Sequence, residues 1–281
     1  MTAVRPGVWF QGGLKIPIAT ELARQAEAAG VDSIWLAEGP IARDAFLTLA
    51  SIAGATSRVE LATGVVNPFT RHPAQLAATF AALDELSGGR VVCGVGVGAR
   101  DGLIPLGVDV AKPYTASREM LTILRGLLGR QDVVTEGQVF RVNHVRLGFR
   151  PLRDHMPIVL AATGPRMCAL AGEMADGIYL MYGSKEYVTG SLALARDARN
   201  SDVPFRVASP ILLAVDSGDG SSIAALKVGI GLMLTEPNGE GMLEANGLDP
   251  VHAQRIRDGL ADGGVKAVSY THLTLPTILL V

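Results

Sequence analysis

Short apolar runs recur along this chain: GVWF (Gly7 to Phe10), SIWLA (Ser33 to Ala37), VELATGVV (Val59 to Val66) and RVVCGVGV (Arg90 to Val97). After a long gap come PIVLAA (Pro157 to Ala162), GIYLMY (Gly177 to Tyr182) and ASPILLAVD (Ala208 to Asp216). The runs are continuous rather than alternating, which is the pattern of strands covered on both faces. Helical patterns separate them. Thr20 to Ala29 places Leu22, Ala23, Ala26 and Ala29 on one face, and Gly30 supplies a stop. Ala74 to Leu86 places Leu76, Thr79, Phe80 and Leu83 on one stripe, with Pro73 suited to the first turn and LSGGR ending it. Strand, helix, strand in this rhythm predicts parallel βαβ units, hence an α/β fold. The stretch 100–156 breaks the rhythm, with a helix near 117–128 and a polar, β-like piece TEGQVFRVNHVRL. It is too poor in apolar residues for a core of its own and reads as an insertion after the fourth strand. The architecture expected is therefore a (β/α)8 TIM-type barrel over 1–267, with a doubly wound sheet as the alternative.

Composition bounds the function more than the fold. The chain has 281 residues, 48% of them hydrophobic, and a formal net charge of −2. That balance offers no footprint for nucleic acid or an anionic membrane surface. No secretory leader and no membrane-length apolar run is legible. The two cysteines, Cys93 and Cys168, lack metal or disulfide spacing and read as buried thiols in a reducing cytoplasm. The scattered histidines form no metal-ligand pattern, so no metal is expected.

If the fold is a barrel, chemistry belongs at the C-terminal ends of the strands. GVGVGA satisfies G-x-G-x-x-A through Gly94, Gly96 and Ala99, but RDGLIPLG follows where a dinucleotide fingerprint needs a helix. A glycine-rich strand end lying under a flat ring fits better. ATGPR puts Thr163, Gly164 and free amides at a helix start, where the dipole favours an anion, and Arg166 adds a forked cation. A simple turn with a solvent-facing arginine is the alternative. Glu38, ending an apolar strand, is either a general acid or an ion-paired group. His72, beside a helix start, is either structural or catalytic.

Taken in order, GVDSIWLAEGP, TSRVELATGVVNPFTRHPAQLAATFAALDELSGGRVVCGVGVGA and AATGPRMCALAGEMADGIYL resemble the bacterial-luciferase-like superfamily. They are most similar to its deazaflavin branch, the methylenetetrahydromethanopterin reductase-like oxidoreductases. The resemblance runs from Gly7 to about Val268. It implies a TIM-type barrel that binds coenzyme F420, or FMN as in sister branches, and moves a hydride to or from a small organic substrate. It implies a non-prolyl cis peptide at Gly64-Val65 backing the cofactor ring, and cofactor contacts from Gly64, Val65, Asn67, Gly96 and Gly98. It also implies a phosphate-binding turn at Ala161, Ala162, Thr163, Gly164, Pro165 and Arg166. Glu38, from its own place at a strand end, is the residue expected to be the polar, catalytic group near the ring. Subunit pairing into a homodimer is a further implication. The alternatives are an FMN-dependent monooxygenase and a catalytically silent cofactor-binding homologue.

The chain departs from the reductase pattern in three places. Trp9 stands where the first strand has an acid, and Ala99 stands where an acid follows Gly-x-Gly-x-Gly, with Asp101 two residues later. The tail VSYTHLTLPTILLV (Val268 to Val281) abandons the preceding composition and resembles translated sequencing adapter. Seven strands precede it where the family has eight, so the expectation is a barrel stopping short of its eighth strand, with poor stability or a tail filling the gap.

Overall fold

The fold was read from a computed structural model, which describes residues 4–98, 100–181, 184–215, 218–234, 243–244 and 249–263. Ala99, Tyr182, Gly183 and the 268–281 tail lie outside the described residues. The first half contains β1 (Gly7–Phe10), α1 (Ile16–Ala28), β2 (Ser33–Leu36), α2 (Ala45–Ala55), β3 (Glu60–Thr63), α3 (Pro73–Ser87) and β4 (Val91–Val95). A short α4 (Arg100–Leu103) and then α5 (Pro113–Leu128) lead to two strands, β5 (Val133–Glu136) and β6 (Arg141–Val145). The chain continues through β7 (Ile158–Ala161), α6 (Pro165–Met174), β8 (Gly177–Tyr179), α7 (Lys185–Asp197) and β9 (Arg206–Ala208). Two helices follow, α8 (Ser221–Leu234) and α9 (Val251–Gly263).

Seven strands form one parallel sheet in the order β1-β2-β3-β4-β7-β8-β9. That order decides between the two α/β architectures. A doubly wound sheet reverses direction at a switch point, whereas a barrel wall adds each new strand to the same side. Here no reversal occurs, and only the four-residue α4 follows the glycine-rich end of β4. The dinucleotide reading is thereby excluded. The sheet curls enough for Arg206 on β9 to reach Glu60 on β3, Nη1 to Oε1 at 3.0 Å. The fold is the TIM-barrel type of α/β architecture.

Each strand serves two cores. Ile34, Leu36, Leu61, Val91, Cys93, Val95, Ile158, Leu160 and Ile178 point outward into the layer between sheet and helices. Their alternates, Ala62, Val92, Val159 and Tyr179, point inward with Trp9, Trp35, Val65 and Ala161 packed against them. Burial on both faces explains why the runs show no alternation in the sequence. Both cysteines are buried and free. Among the described residues no helix is long and apolar enough to cross a membrane.

Helix ends follow local chemistry. Asp44 caps α2 by accepting from Leu47 N at 2.9 Å. Pro73 opens α3, and Gly88 closes it in the left-handed region at φ 69°. The stretch after β4 resolves into two parts. α5 is a wall helix of the barrel, packed between α3 and α6, and only the antiparallel β5–β6 hairpin is extra. The hairpin packs on α5, its tip tied down by Glu119, which accepts from the amides of Gln138, Val139 and Phe140 at 2.7–3.0 Å.

Two expectations need correction. α1 buries Ala19 and Ala23, while Leu22 is 39% exposed, because the buried stripe of alanines is narrow and Leu22 sits at its margin. The seventh strand is Arg206–Ala208, ahead of the predicted run. Its ladder ends where Leu180 N donates to Ala208 O at 2.8 Å, and Pro210 has no N–H to extend it. Ile211, Leu213 and Val215 are consequently exposed rather than core.

Candidate active site

The backbone at the C-terminal end of β3 is tied to the strands on both sides. The Gly64–Val65 peptide is cis, as the resemblance implied. Its surroundings hold it by several bonds: Gly64 N donates to Leu36 O at 2.7 Å, Val66 N to Gly94 O at 3.1 Å, and Gly96 N to Val66 O at 3.0 Å. Trp9 Nε1 donates to the Gly64 carbonyl at 3.3 Å. The departure at Trp9 therefore places an indole, not a carboxylate, against this peptide. Trp35 and Tyr179 continue the aromatic floor, their ring centroids 5.4 Å apart.

Two glycines, Gly94 on β4 and Gly96 just beyond it, allow close approaches at this end of the barrel. A Cβ on Gly94 would lie 1.7 Å from Thr63 O, and one on Gly96 would lie 2.7 Å from the Ala161 Cβ and 3.1 Å from Val65 Cγ2. The structure thus brings Gly64, Val65, Gly96 and Ala161 together at the barrel mouth. Asn67 and Gly98 sit side by side there, with the Gly98 Cβ position 4.0 Å from Asn67 Nδ2. Asn67 Oδ1 is committed to its own loop, accepting from the amides of Phe69 and Thr70 at 2.9 Å, so only its amide nitrogen remains to meet a ligand.

The second cluster is the start of α6. Gly164 is the N-cap and supplies no side-chain acceptor; Pro165 has no N–H and Met167 N donates to Gly164 O at 3.0 Å, which leaves the Arg166 amide as the first-turn donor for another partner. Space around Gly164 is open: a Cβ there would meet nothing within 4 Å. The Arg166 guanidinium lies 4.4 Å over the Tyr114 ring and has no carboxylate partner among the described residues. Tyr187 Oη donates to Thr163 O at 2.8 Å and fixes the turn from α7. Ala162 is 2% exposed with its side chain in the outer core, so only its backbone can face a ligand.

Glu38 joins a third cluster. Its Oε1 is 3.0 Å from Arg71 Nη2, which also reaches Asp44 Oδ2 at 2.5 Å, while the Arg71 guanidinium stacks 5.0 Å over Phe46. Glu38 Oε2 is buried and has no hydrogen-bond partner. Burial pushes the Glu38 carboxyl above its ordinary pKa; Arg71 opposes the shift and Asp44 adds to it. The folded state thus holds this proton more tightly than the unfolded chain. Its contribution to stability declines as pH rises from the unfolded carboxyl range through the raised folded value. Glu38→Gln should flatten that slope and leave the protein more stable at neutral pH than the parent, measured by urea unfolding between pH 4 and 8. An unchanged slope would show that Glu38 is not the group responsible.

His72 is structural. Its Nδ1 accepts from Ala74 N at 3.2 Å to cap α3, and its ring meets Phe140 edge-on. Among the described residues no group of His, Cys, Asp and Glu comes together that could hold a metal ion. Sequence reasoning missed Arg71, Tyr114 and Tyr187 as parts of these clusters. Tyr114 and Tyr187 carry no local signal, and Arg71 was visible only as part of a motif.

The family profile described as luciferase-like monooxygenase matches residues 2–245. The chain belongs to this family. Among its relatives, the 5,10-methylenetetrahydromethanopterin reductase of Methanolobus tindarius is 28% identical over 254 residues, 88% of this chain and 76% of the relative. The F420-dependent glucose-6-phosphate dehydrogenase of Beutenbergia cavernae is 31% identical over 253 residues, 84% of this chain and 74% of the relative. Among solved structures, the coenzyme F420 dependent tetrahydromethanopterin reductase of Methanopyrus kandleri superposes with a TM-score of 0.82 at 25% identity, covering 95% of this chain and 82% of that one. The likeness to that structure agrees with the order of the strands.

Proposed function

We propose that this protein is an F420-dependent oxidoreductase that transfers a hydride between a deazaflavin and a small organic substrate. The observation that carries the proposal is the α6 start, which lacks a side-chain cap and bears Arg166, at the same end of the barrel as the close approaches of Gly94 and Gly96. Relatives named for F420 dependence add support.

The residues fit such a cofactor. In this reading the amides of Gly164 and Arg166 and the Arg166 guanidinium hold its phosphate, since a helix N-terminus and a forked cation both favour an oxyanion. Ala161, Ala162, Thr163 and Pro165 shape that turn. Gly64 and Val65 back the ring, Gly96 and Gly98 leave room for its approach, and the Asn67 amide nitrogen donates to it. When bound, the deazaflavin supplies the hydride chemistry. The protein's share is to orient ring and substrate, exclude water with the Trp9, Trp35 and Tyr179 floor, and hold a proton at Glu38.

Titration of the purified protein with F420 and with FMN, followed by fluorescence, tests this reading. F420 should bind in the micromolar range or tighter and FMN at least tenfold more weakly. Binding of FMN alone would instead identify a flavin monooxygenase, and F420 binding without hydride exchange across alcohols, imines and pterins would identify a silent homologue. Arg166→Ala removes a charge-assisted contact of about 1.5–3 kcal/mol and should weaken F420 about ten- to a hundredfold. Unchanged affinity would remove the phosphate assignment.

A further inference from the structure

A second basic site lies at the other end of the barrel. α5 runs antiparallel to the strands, so its C-terminus sits at the rim opposite the cluster just described. Beside that terminus is a cavity of about 290 Å³ lined by Arg130, Arg146, Leu147, Phe149, Arg150 and the backbone of their loop. None of the lining residues is acidic.

The charges are only partly met. Arg130 pairs with Asp154, which is 81% exposed, and Arg146 lies 3.4 Å from Asp132. Arg150 has no ion-pair partner among the described residues. Arg130 Nη2 donates to Pro151 O at 2.9 Å, yet its Nε is buried and has no hydrogen-bond partner. A buried donor left unmade is costly unless an acceptor arrives. Arg130 also occupies the left-handed region at φ 63°, a conformation usually left to glycine at this position after a helix. At this helix end the amides of Gly129, Arg130 and Gln131 donate to the Arg125, Leu127 and Gly126 carbonyls.

We propose that this cavity binds a diphosphate group, free or carried by a nucleotide. Guanidinium forks match phosphate oxygens in pairs, three arginines line this cavity, and its volume exceeds what a single phosphate fills. Phe149, 39% exposed at the wall, offers a face for a planar base.

Calorimetric titration of the full chain at low salt with pyrophosphate and with ADP tests the site. Saturable binding of either, weakened at least tenfold by Arg146→Ala and by Arg150→Ala but unchanged by Arg166→Ala, supports it. ADP binding more tightly than pyrophosphate, with the gain lost in Phe149→Ala, makes the ligand a nucleotide; equal affinities make it free diphosphate. Absence of saturable binding to both overturns the proposal. So does binding that survives in the Arg146→Ala/Arg150→Ala double variant or is lost only in Arg166→Ala, which would assign the anion to the α6 turn.

Discussion

Gly94→Ala should yield little folded protein. The added Cβ would sit 1.7 Å from the Thr63 carbonyl oxygen, 2.9 Å from its carbon and 3.3 Å from Trp35 Cζ3. The first two atoms are backbone, and neither can retreat. The carbonyl of Gly94 accepts from Val66 N at 3.1 Å and from Thr63 Oγ1 at 2.5 Å, so separating β3 from β4 breaks the bonds that hold the end of β3. Overpacking a core costs about 1–3 kcal/mol when side chains can shift. A backbone collision should exceed that range, a large share of the roughly 5–15 kcal/mol that keeps a domain folded. Gly164→Ala is the matched control: its Cβ enters open space and its φ is −106°, so stability should fall by no more than about 1 kcal/mol, the cost of a poorer N-cap. Thermal unfolding of the pair reads the difference. Similar midpoints for the two variants would show that the approach of β3 to β4 is looser than described.

Arg153→Ala carries the second large effect. Asp84, near the end of α3, is completely buried. Its carboxylate accepts from Arg153 Nε at 2.9 Å, from Arg153 Nη2 at 2.5 Å and from Val91 N at 3.1 Å. Arg153 also donates to Val91 O at 2.7 Å, so one side chain ties the loop before β7 to both α3 and β4. Removing it leaves a charge in the interior without its partner, which costs about 3–5 kcal/mol. Adding Asp84→Asn to Arg153→Ala should recover part of the loss, because the stranded charge is gone while an acceptor for Val91 N remains. Urea unfolding of the single and double variants measures the coupling. If the double variant is less stable than Arg153→Ala alone, the buried charge is not the source of the cost.

The barrel was legible in the sequence because its strands are buried twice over and so stand out as unbroken apolar runs. The exception is instructive. ASPILLAVD is as apolar as the others, yet only its first residue, Ala208, is paired to β8, and Pro210 stops the ladder, so Ile211, Leu213 and Val215 face out. Which alternates face inward was not legible, because Ala62, Val92 and Val159 are no different in kind from Leu61, Val91 and Ile158. At the site, glycines were readable as places of close approach, and Gly94 and Gly96 make those approaches. The partners were not readable. Tyr114 under Arg166 and Asp44 beside Glu38 come from separate helices or their caps, and only the folded wall brings them near. The double role of Asn67 was hidden too: the residue was assigned to a ligand, and most of its hydrogen bonding goes to its own turn.

A crystal structure of the protein with F420 tests the central claim most directly. The account predicts the cofactor's phosphate about 2.7–3.2 Å from the amides that open α6 and from the Arg166 guanidinium, with the ring lying against the Gly64–Val65 peptide. A bound cofactor whose phosphate lies elsewhere, with Arg166 still stacked on Tyr114 and open to water, would contradict it.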